Sequence, residues 1–292
     1  MGYSKNKLKK KSFLKIIFVI LTLLLITGIT ILVIANGKDM LTIEEISDKA
    51  DNVSEDVARN SRPIIIDNVI VGAVYNNEFV TVDKYLSYSS NKVNTEMNVY
   101  TQKGRSGTFK INSITKKDTY TQATTSSLNV SEEYIAVPSS DVSAMPILPE
   151  KMEATEKDYD AVKSALGKYR LLNNSVNISN VYDVSINLNN TYKIICATSS
   201  DNDEGIYSAV IFANSNWTKS KIIKYSYVKD KSNASYWPIY SFEFAGDLNN
   251  DGNSEIIVRE VNEFEVKYDV LEYDEKLDNF VEVLSATIKL EK

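Results

Sequence analysis

From residue 63 to the C terminus, short runs with apolar residues at alternate positions are separated by clusters of Asn, Asp, Gly and Ser. Alternation with period two sends successive side chains to opposite faces of a strand, and turn residues this frequent favour hairpins over long crossovers. "PIIIDNVIVGAVY" and "EFVTVDKYLSY" flank Asn76-Asn77, a dipeptide that tolerates the positive φ angles of a tight turn. "TEMNVYTQ", "GTFKINSITK", "DTYTQATT" and "EYIAVP" follow, rich in the Thr, Tyr, Val and Ile that suit a pleated surface. Residues 63–137 therefore read as a small antiparallel β domain.

Residues 138–155 carry Pro138, Pro146 and Pro149 without periodicity and read as a linker. Residues 156–292 form a second, C-terminal β-rich domain that opens with a helix. In "EKDYDAVKSALGKYRLL", Tyr159, Val162, Leu166 and Tyr169 lie near one helical face, with Thr155 as N-cap and Asn173-Asn174 as the stop. Eight strand-like runs follow, from "SVNISNVYDVSIN" to "NFVEVLSATIKL", with turns such as Asn189-Asn190 and Asn262-Glu263 between them. Their spacing suits an antiparallel meander in a sandwich, barrel or partial propeller. The fold class expected is mainly β (β-rich α+β).

The N-terminal region differs in kind. Residues 16–35, "IIFVILTLLLITGITILVIA", run twenty positions without a charge. As a helix that is roughly 30 Å, the thickness of a bilayer's hydrocarbon core. The run is longer than the apolar region of a cleaved signal peptide and lacks a good small-x-small site, so a retained transmembrane anchor is expected. Lys5, Lys7, Lys9, Lys10, Lys11 and Lys15 place residues 1–15 on the cytoplasmic side as a short tail. The rest would then be extracytoplasmic, a single-pass arrangement in the cell membrane whose partner is the lipid bilayer through residues 16–35. Residues 39–62 place Ile43, Ile46, Ala50, Val53 and Val57 at 3-4-3-4 spacing and read as a juxtamembrane helix or stalk. Abundant Asn, Lys, Ile and Tyr point to an AT-rich bacterial genome.

Seven of the 33 Lys and Arg fall in residues 1–38, leaving 26 against all 39 Asp and Glu, a net charge of −13. Such a body repels phosphates, and no nucleic-acid partner is expected. A single cysteine, Cys196, lies on an apolar run and reads as a buried small hydrophobe. Histidine is absent altogether, which removes Ser-His-Asp and Cys-His nucleophiles and the H-E-x-x-H zinc site. Ser113-Ile114-Thr115-Lys116 spells Ser-x-x-Lys, but it sits in a strand-like run without the partner elements of that chemistry.

One stretch gathers oxygen ligands in register. In "FAGDLNNDGNSEIIV", residues 244–258, Asp247, Asn249 and Asp251 alternate, Gly252 permits a sharp bend, and Glu255 lies at the ninth place. Asn253, at the seventh, offers a backbone carbonyl. Calcium takes six to eight oxygens at about 2.3–2.6 Å, and a loop of this spacing can curl around it. The twelfth place, Val258, is not the bidentate Glu of an EF-hand, and the flanks are strands rather than helices. The order of residues resembles the calcium loop of FG-GAP and VCBS repeats, the blades of integrin-type β-propellers. That resemblance covers this one loop. It implies that the side chains of Asp247, Asn249, Asp251 and Glu255 hold Ca2+. The alternative is a plain polar turn, since Asn-Asp-Gly is ordinary hairpin chemistry.

Two functions remain open on these grounds. One is a membrane-anchored, non-enzymatic interaction or envelope-associated protein with a calcium-stabilised loop, its partner an envelope protein or a glycan. The other is a cell-wall or glycan-acting hydrolase using a carboxylate pair drawn from acids such as Glu243, Glu260, Glu263 and Glu265. Trp217 and the aromatics of "SYWPIYSFEF" could then stack on sugars.

Overall fold

The computed structural model describes residues 60–87, 94–101, 103–126, 130, 132–138, 151–167, 176–187, 190–199, 205–229, 235 and 237–290. All lie in one compact unit, Glu55–Lys292. The expected tail, membrane helix and most of the juxtamembrane helix fall outside the described residues. Among those described, no helix is long and apolar enough to cross a membrane.

The chain is mainly β, and every strand pairing is antiparallel. Seven strands come first: β1 Arg62–Ile66, β2 Val69–Tyr75, β3 Glu78–Val80, β4 Glu96–Thr101, β5 Gly104–Lys116, β6 Thr121–Thr125 and β7 Tyr134–Pro138. Their order is β1-β7-β4-β5-β6-β2-β3, and β1 also pairs with β2. That extra pairing closes six strands into a barrel with β3 appended, so the sheet hides most of its edge. The four-residue run "PIII" now has a reason: Ile65 points into the barrel with Ile70, Met97, Phe109 and Ile111, while Ile64 and Ile66 point outward and are buried by another layer.

Two sequence expectations change here. "PIIIDNVIVGAVY" is two strands, not one, because Asp67 (φ 46°) and Asn68 (φ 66°) turn the chain just as Asn76 (φ 50°) and Asn77 (φ 63°) do. Two successive left-handed residues give a two-residue turn whose twist matches the flanking strands. "EFVTVDKYLSY" is not all strand either. After β3 the chain coils into a short helix, α1 Val82–Leu86. Val82, Tyr85 and Leu86 sit at helical spacing, and the Tyr85 ring fills the barrel core.

The remainder begins with β8 Lys151–Met152 and α2 Glu156–Gly167. β9 Val176–Asn187, β10 Asn190–Ser199, β11 Ile206–Asn214 and β12 Ser220–Val228 follow, then β13 Ile239–Gly246, β14 Glu255–Val261, β15 Glu265–Asp274 and β16 Asn279–Lys289. One sheet runs β12-β11-β10-β9-β8 and the other β13-β14-β15-β16, both meanders of neighbours in sequence. β8 lies inside the stretch read as an aperiodic linker and pairs with β9 through Lys151↔Tyr182 and Met152↔Val181.

These parts stack in layers. Phe244, Ile257, Val270 and Leu284 of the four-stranded sheet meet the barrel's outer face. Its other face presents Phe242, Ala245, Ile256, Val258 and Leu271 to Tyr182, Ile194, Cys196 and Phe212 of the five-stranded sheet. Phe242 and Phe244 can serve opposite layers because a bulge at Glu243 breaks the register between them. Beyond the five-stranded sheet, Ala161, Val162, Ala165 and Leu166 of α2 cover Val181, Ile195, Tyr207 and Ile211. Each such aliphatic or aromatic side chain contributes roughly 1.5–3 kcal/mol on leaving water, so the core can hold the fold without a disulfide.

The start of α2 follows the expectation for Thr155. The Asp158 carboxylate accepts from the Thr155 N–H at 2.9 Å and from its hydroxyl at 2.6 Å, and from Trp217 Nε1 at 2.9 Å. This is one half of a capping box, an acid three residues on reaching back to the cap N–H, while Asp158 N donates to the Thr155 carbonyl at 3.0 Å rather than to its side chain. Burial pushes the Asp158 pKa up, but these bonds and the Lys193 charge outweigh it and hold the carboxyl below its usual range.

Candidate metal centre

β13 and β14 form a hairpin whose last ladder pair is Gly246↔Glu255, and residues 247–254 are its loop. Asn250 (φ 63°) and Gly252 (φ 93°) supply the left-handed bends. Inside it, Asp247 accepts from Asp251 N and Gly252 N, each at 3.0 Å, and Asn249 Oδ1 accepts from Asp251 N at 3.1 Å. Asp251 Oδ1 accepts from Asn253 N at 2.8 Å, and Glu255 Oε2 accepts from Leu248 N at 2.7 Å. The loop is also tied to its surroundings. Ser254 N donates to Ile186 O of β9 at 2.6 Å, Asn77 Nδ2 of the β2–β3 turn donates to Asn250 O at 2.9 Å, and Leu248 is buried in the core beside the barrel.

Of the sequence-predicted ligands, Asp251 and Glu255 converge, and the structure adds a third carboxylate, Glu272 of β15. One oxygen from each lies within 4.8 Å of the others. Ligand oxygens about 2.3–2.6 Å from a common ion can be that far apart, so a single calcium-sized cation can reach all three. Asp247 and Asn249 shape the loop around this point through the hydrogen bonds above, and Asn253 enters through its N–H. Glu272 lies outside the loop motif. Its signal was in the hairpin register: Ile256 pairs with Leu271, and one step further would set Glu272 opposite Glu255. A two-residue turn at Asn262-Glu263 would have set Glu255 opposite Val270; the four-residue turn 262–265 is what brings Glu272 there.

The electrostatics are unbalanced. Glu255 is 0% exposed, and its Oε1 has no hydrogen-bond partner. Burial pushes its pKa up to about 9, the Leu248 N–H opposes the shift, and the charges of Asp251, Asp247 and Glu272 add to it. Burial likewise raises Glu272, with Asp251 and Asp274 adding to the shift. Asp269, also 0% exposed, is treated differently: Lys224 and Lys267 each approach it at 2.8 Å.

A second polar cluster joins barrel and sheet. Tyr268 OH donates to Asp67 Oδ2 at 2.7 Å, Tyr134 N donates to Asp67 Oδ1 at 2.9 Å, and Arg259 pairs with Glu133 at 2.7 Å. Glu243, at the bulge, is bonded to Ser241 and shares a hydrogen bond with Glu133. Burial raises the Glu243 pKa, and the bond to Glu133 raises it further.

The remaining candidates do not converge on one another. Glu260 pairs across the ladder with Lys267, Glu263 N donates to Ser235 O, and Glu265 N donates to Asn262 Oδ1. Lys157 and Lys193 lie 4.9 and 5.1 Å from the Trp217 ring centroid, so cations already occupy that ring. Ser113 is on β5, its hydroxyl 2.6 Å from that of Thr124, while Lys116 pairs with Asp83 at 2.9 Å. Cys196 is buried, which pushes its thiol up to about 12. A groove of about 520 Å3 runs between barrel and β16, with Thr81, Lys116, Tyr120 and Leu284 in its lining and no residue of the acidic loop.

Comparison with protein-family models, curated proteins and solved structures finds no match to this chain.

Proposed function

We propose that the protein is a membrane-anchored, extracytoplasmic interaction or envelope-associated protein whose 247–255 loop is locked by Ca2+. The observation that carries the calcium reading is Glu255, a fully buried carboxylate with one oxygen unpartnered, facing two further acids. A desolvated carboxylate without a counter-charge costs several kcal/mol, roughly, and a bound cation would supply that charge. Carboxylate-rich cages without dedicated waters suit calcium better than magnesium. The ion's role is structural: it holds a loop that touches β9 on one side and the β2–β3 turn on the other. The FG-GAP/VCBS resemblance supports two of these ligands, Asp251 and Glu255, and would add Asp247 and Asn249. The anchor reading rests on residues 16–35 and the lysines before them.

The hydrolase reading has less support. Glu133, the acid beside buried Glu243, is already paired with Arg259 at 2.7 Å.

Thermal melting of the full-length chain in calcium and in chelator tests the calcium reading. A hundredfold excess over Kd stabilises by about 2.7 kcal/mol, roughly 5–10 °C in Tm for a body of this size. Glu255→Gln should remove the shift. Equal melting in both buffers would return the loop to a plain polar turn. Retention of the protein in membranes after alkaline washing tests the anchor, and release would count against it.

A further inference from the structure

We infer that Glu272 is a ligand of the same ion, so that the cation clamps the β13–β14 loop to the neighbouring strand β15. This rests on the calcium reading and extends it beyond the loop motif, which ends at Glu255.

β14 and β15 pair from Val261↔Val266 to Ile256↔Leu271, and continuing that register by one residue would set Glu255 opposite Glu272; one carboxylate oxygen of each lies within 4.8 Å of the other. Like charges directly opposite on a ladder are destabilising, and here Asp251 leans over the same point. The charges acting most strongly on Glu255 are Asp251, Asp247 and Glu272, all acidic. Those acting on Glu272 are Asp251 and Asp274, again both acidic. Asp269, on the same sheet and equally buried, is met by two lysines, Lys224 and Lys267. At the end of β14 the fold supplies a third carboxylate instead.

The unpartnered Oε1 of the fully buried Glu255 is the independent sign that something positive belongs there. Two of the three carboxylates are placed by paired strands and only Asp251 by the loop. The ladder therefore sets the separation of two ligands before the ion arrives, and the loop closes on it through Asp251. Removing Glu272 takes one charge and one oxygen from the cage, and calcium affinity follows ligand charge count and rigidity.

The test is calcium titration of the full-length chain by calorimetry, comparing wild type, Glu272→Gln, Glu255→Gln and Glu275→Gln. Glu275 is exposed in the β15–β16 turn and controls for the loss of one negative charge. Glu272→Gln should weaken calcium by about tenfold or more while Glu275→Gln stays near wild type. In chelator, Glu272→Gln should melt no lower than wild type, because it relieves the crowding; this separates a lost ligand from a damaged fold. Wild-type affinity in Glu272→Gln, with Glu255→Gln unable to bind, would overturn the inference and leave the loop site standing. No binding by the wild type would overturn both.

Discussion

Tyr268 donates its hydroxyl to Asp67 Oδ2 at 2.7 Å, tying the four-stranded sheet to the first turn of the barrel. Burial raises the Asp67 pKa, while the bonds from Tyr268 and the Tyr134 N–H pull it back. The contact bridges residues 201 positions apart, so it forms only when both layers are in place.

Tyr268→Phe keeps the ring in the core and removes only the hydroxyl. It should cost about 1–2 kcal/mol, since Asp67 loses a donor in a half-buried setting. Urea unfolding of the variant measures this, and an unchanged midpoint would mean the bond does not tie the layers together.

Glu243 makes the stability of the protein depend on pH. Its pKa is raised in the fold by burial and by Glu133, from 4.5 when unperturbed, so the folded chain keeps this proton longer than the unfolded one. Its contribution therefore weakens as pH rises from the ordinary carboxylate range toward neutrality and levels off above the raised pKa. Glu243→Gln, which cannot ionise, should gain stability relative to wild type across that window. Denaturant midpoints of the pair at pH 5 and pH 8 check it; a difference that does not grow with pH contradicts it.

Gly72 packs directly against Leu284 of β16. A Cβ there would lie 2.6 Å from both Leu284 methyl carbons, in a buried site. Gly72→Ala should destabilise by about 1–3 kcal/mol through overpacking. In a double-mutant cycle with Leu284→Ala the two effects should be less than additive, because the smaller side chain makes room.

Much of the architecture could be read from alternation alone. All eight strand runs after the helix were legible because each is rich in strand-forming residues and bounded by turn residues, as in "SEIIVREV" and "FEVKYDVLEYD". Other features were not, β8 inside the expected linker among them. The Asp67-Asn68 turn hid in a run buried on both faces, where alternation vanishes. The helix at Val82–Leu86 is five residues, too short for its period to compete with the strand pattern before it. Barrel closure depends on β1 pairing with β7 across a long stretch of sequence, and local patterning carries no record of that.

At the candidate site the loop residues were legible because the motif is local: Asp247, Asn249, Asp251 and Glu255 sit on one hairpin connection. Glu272 was not, because it reaches the site through strand register. The polar cluster of Asp67, Glu133, Glu243 and Arg259 draws on distant segments for the same reason.

The most direct test is a crystal structure of the protein grown in saturating calcium, with anomalous scattering used to find the ion. The account predicts one calcium with carboxylate oxygens of Asp251, Glu255 and Glu272 at about 2.3–2.6 Å, and Glu255 Oε1 no longer without a partner. A loop holding no ion at saturating calcium, with these carboxylates turned apart, would contradict it.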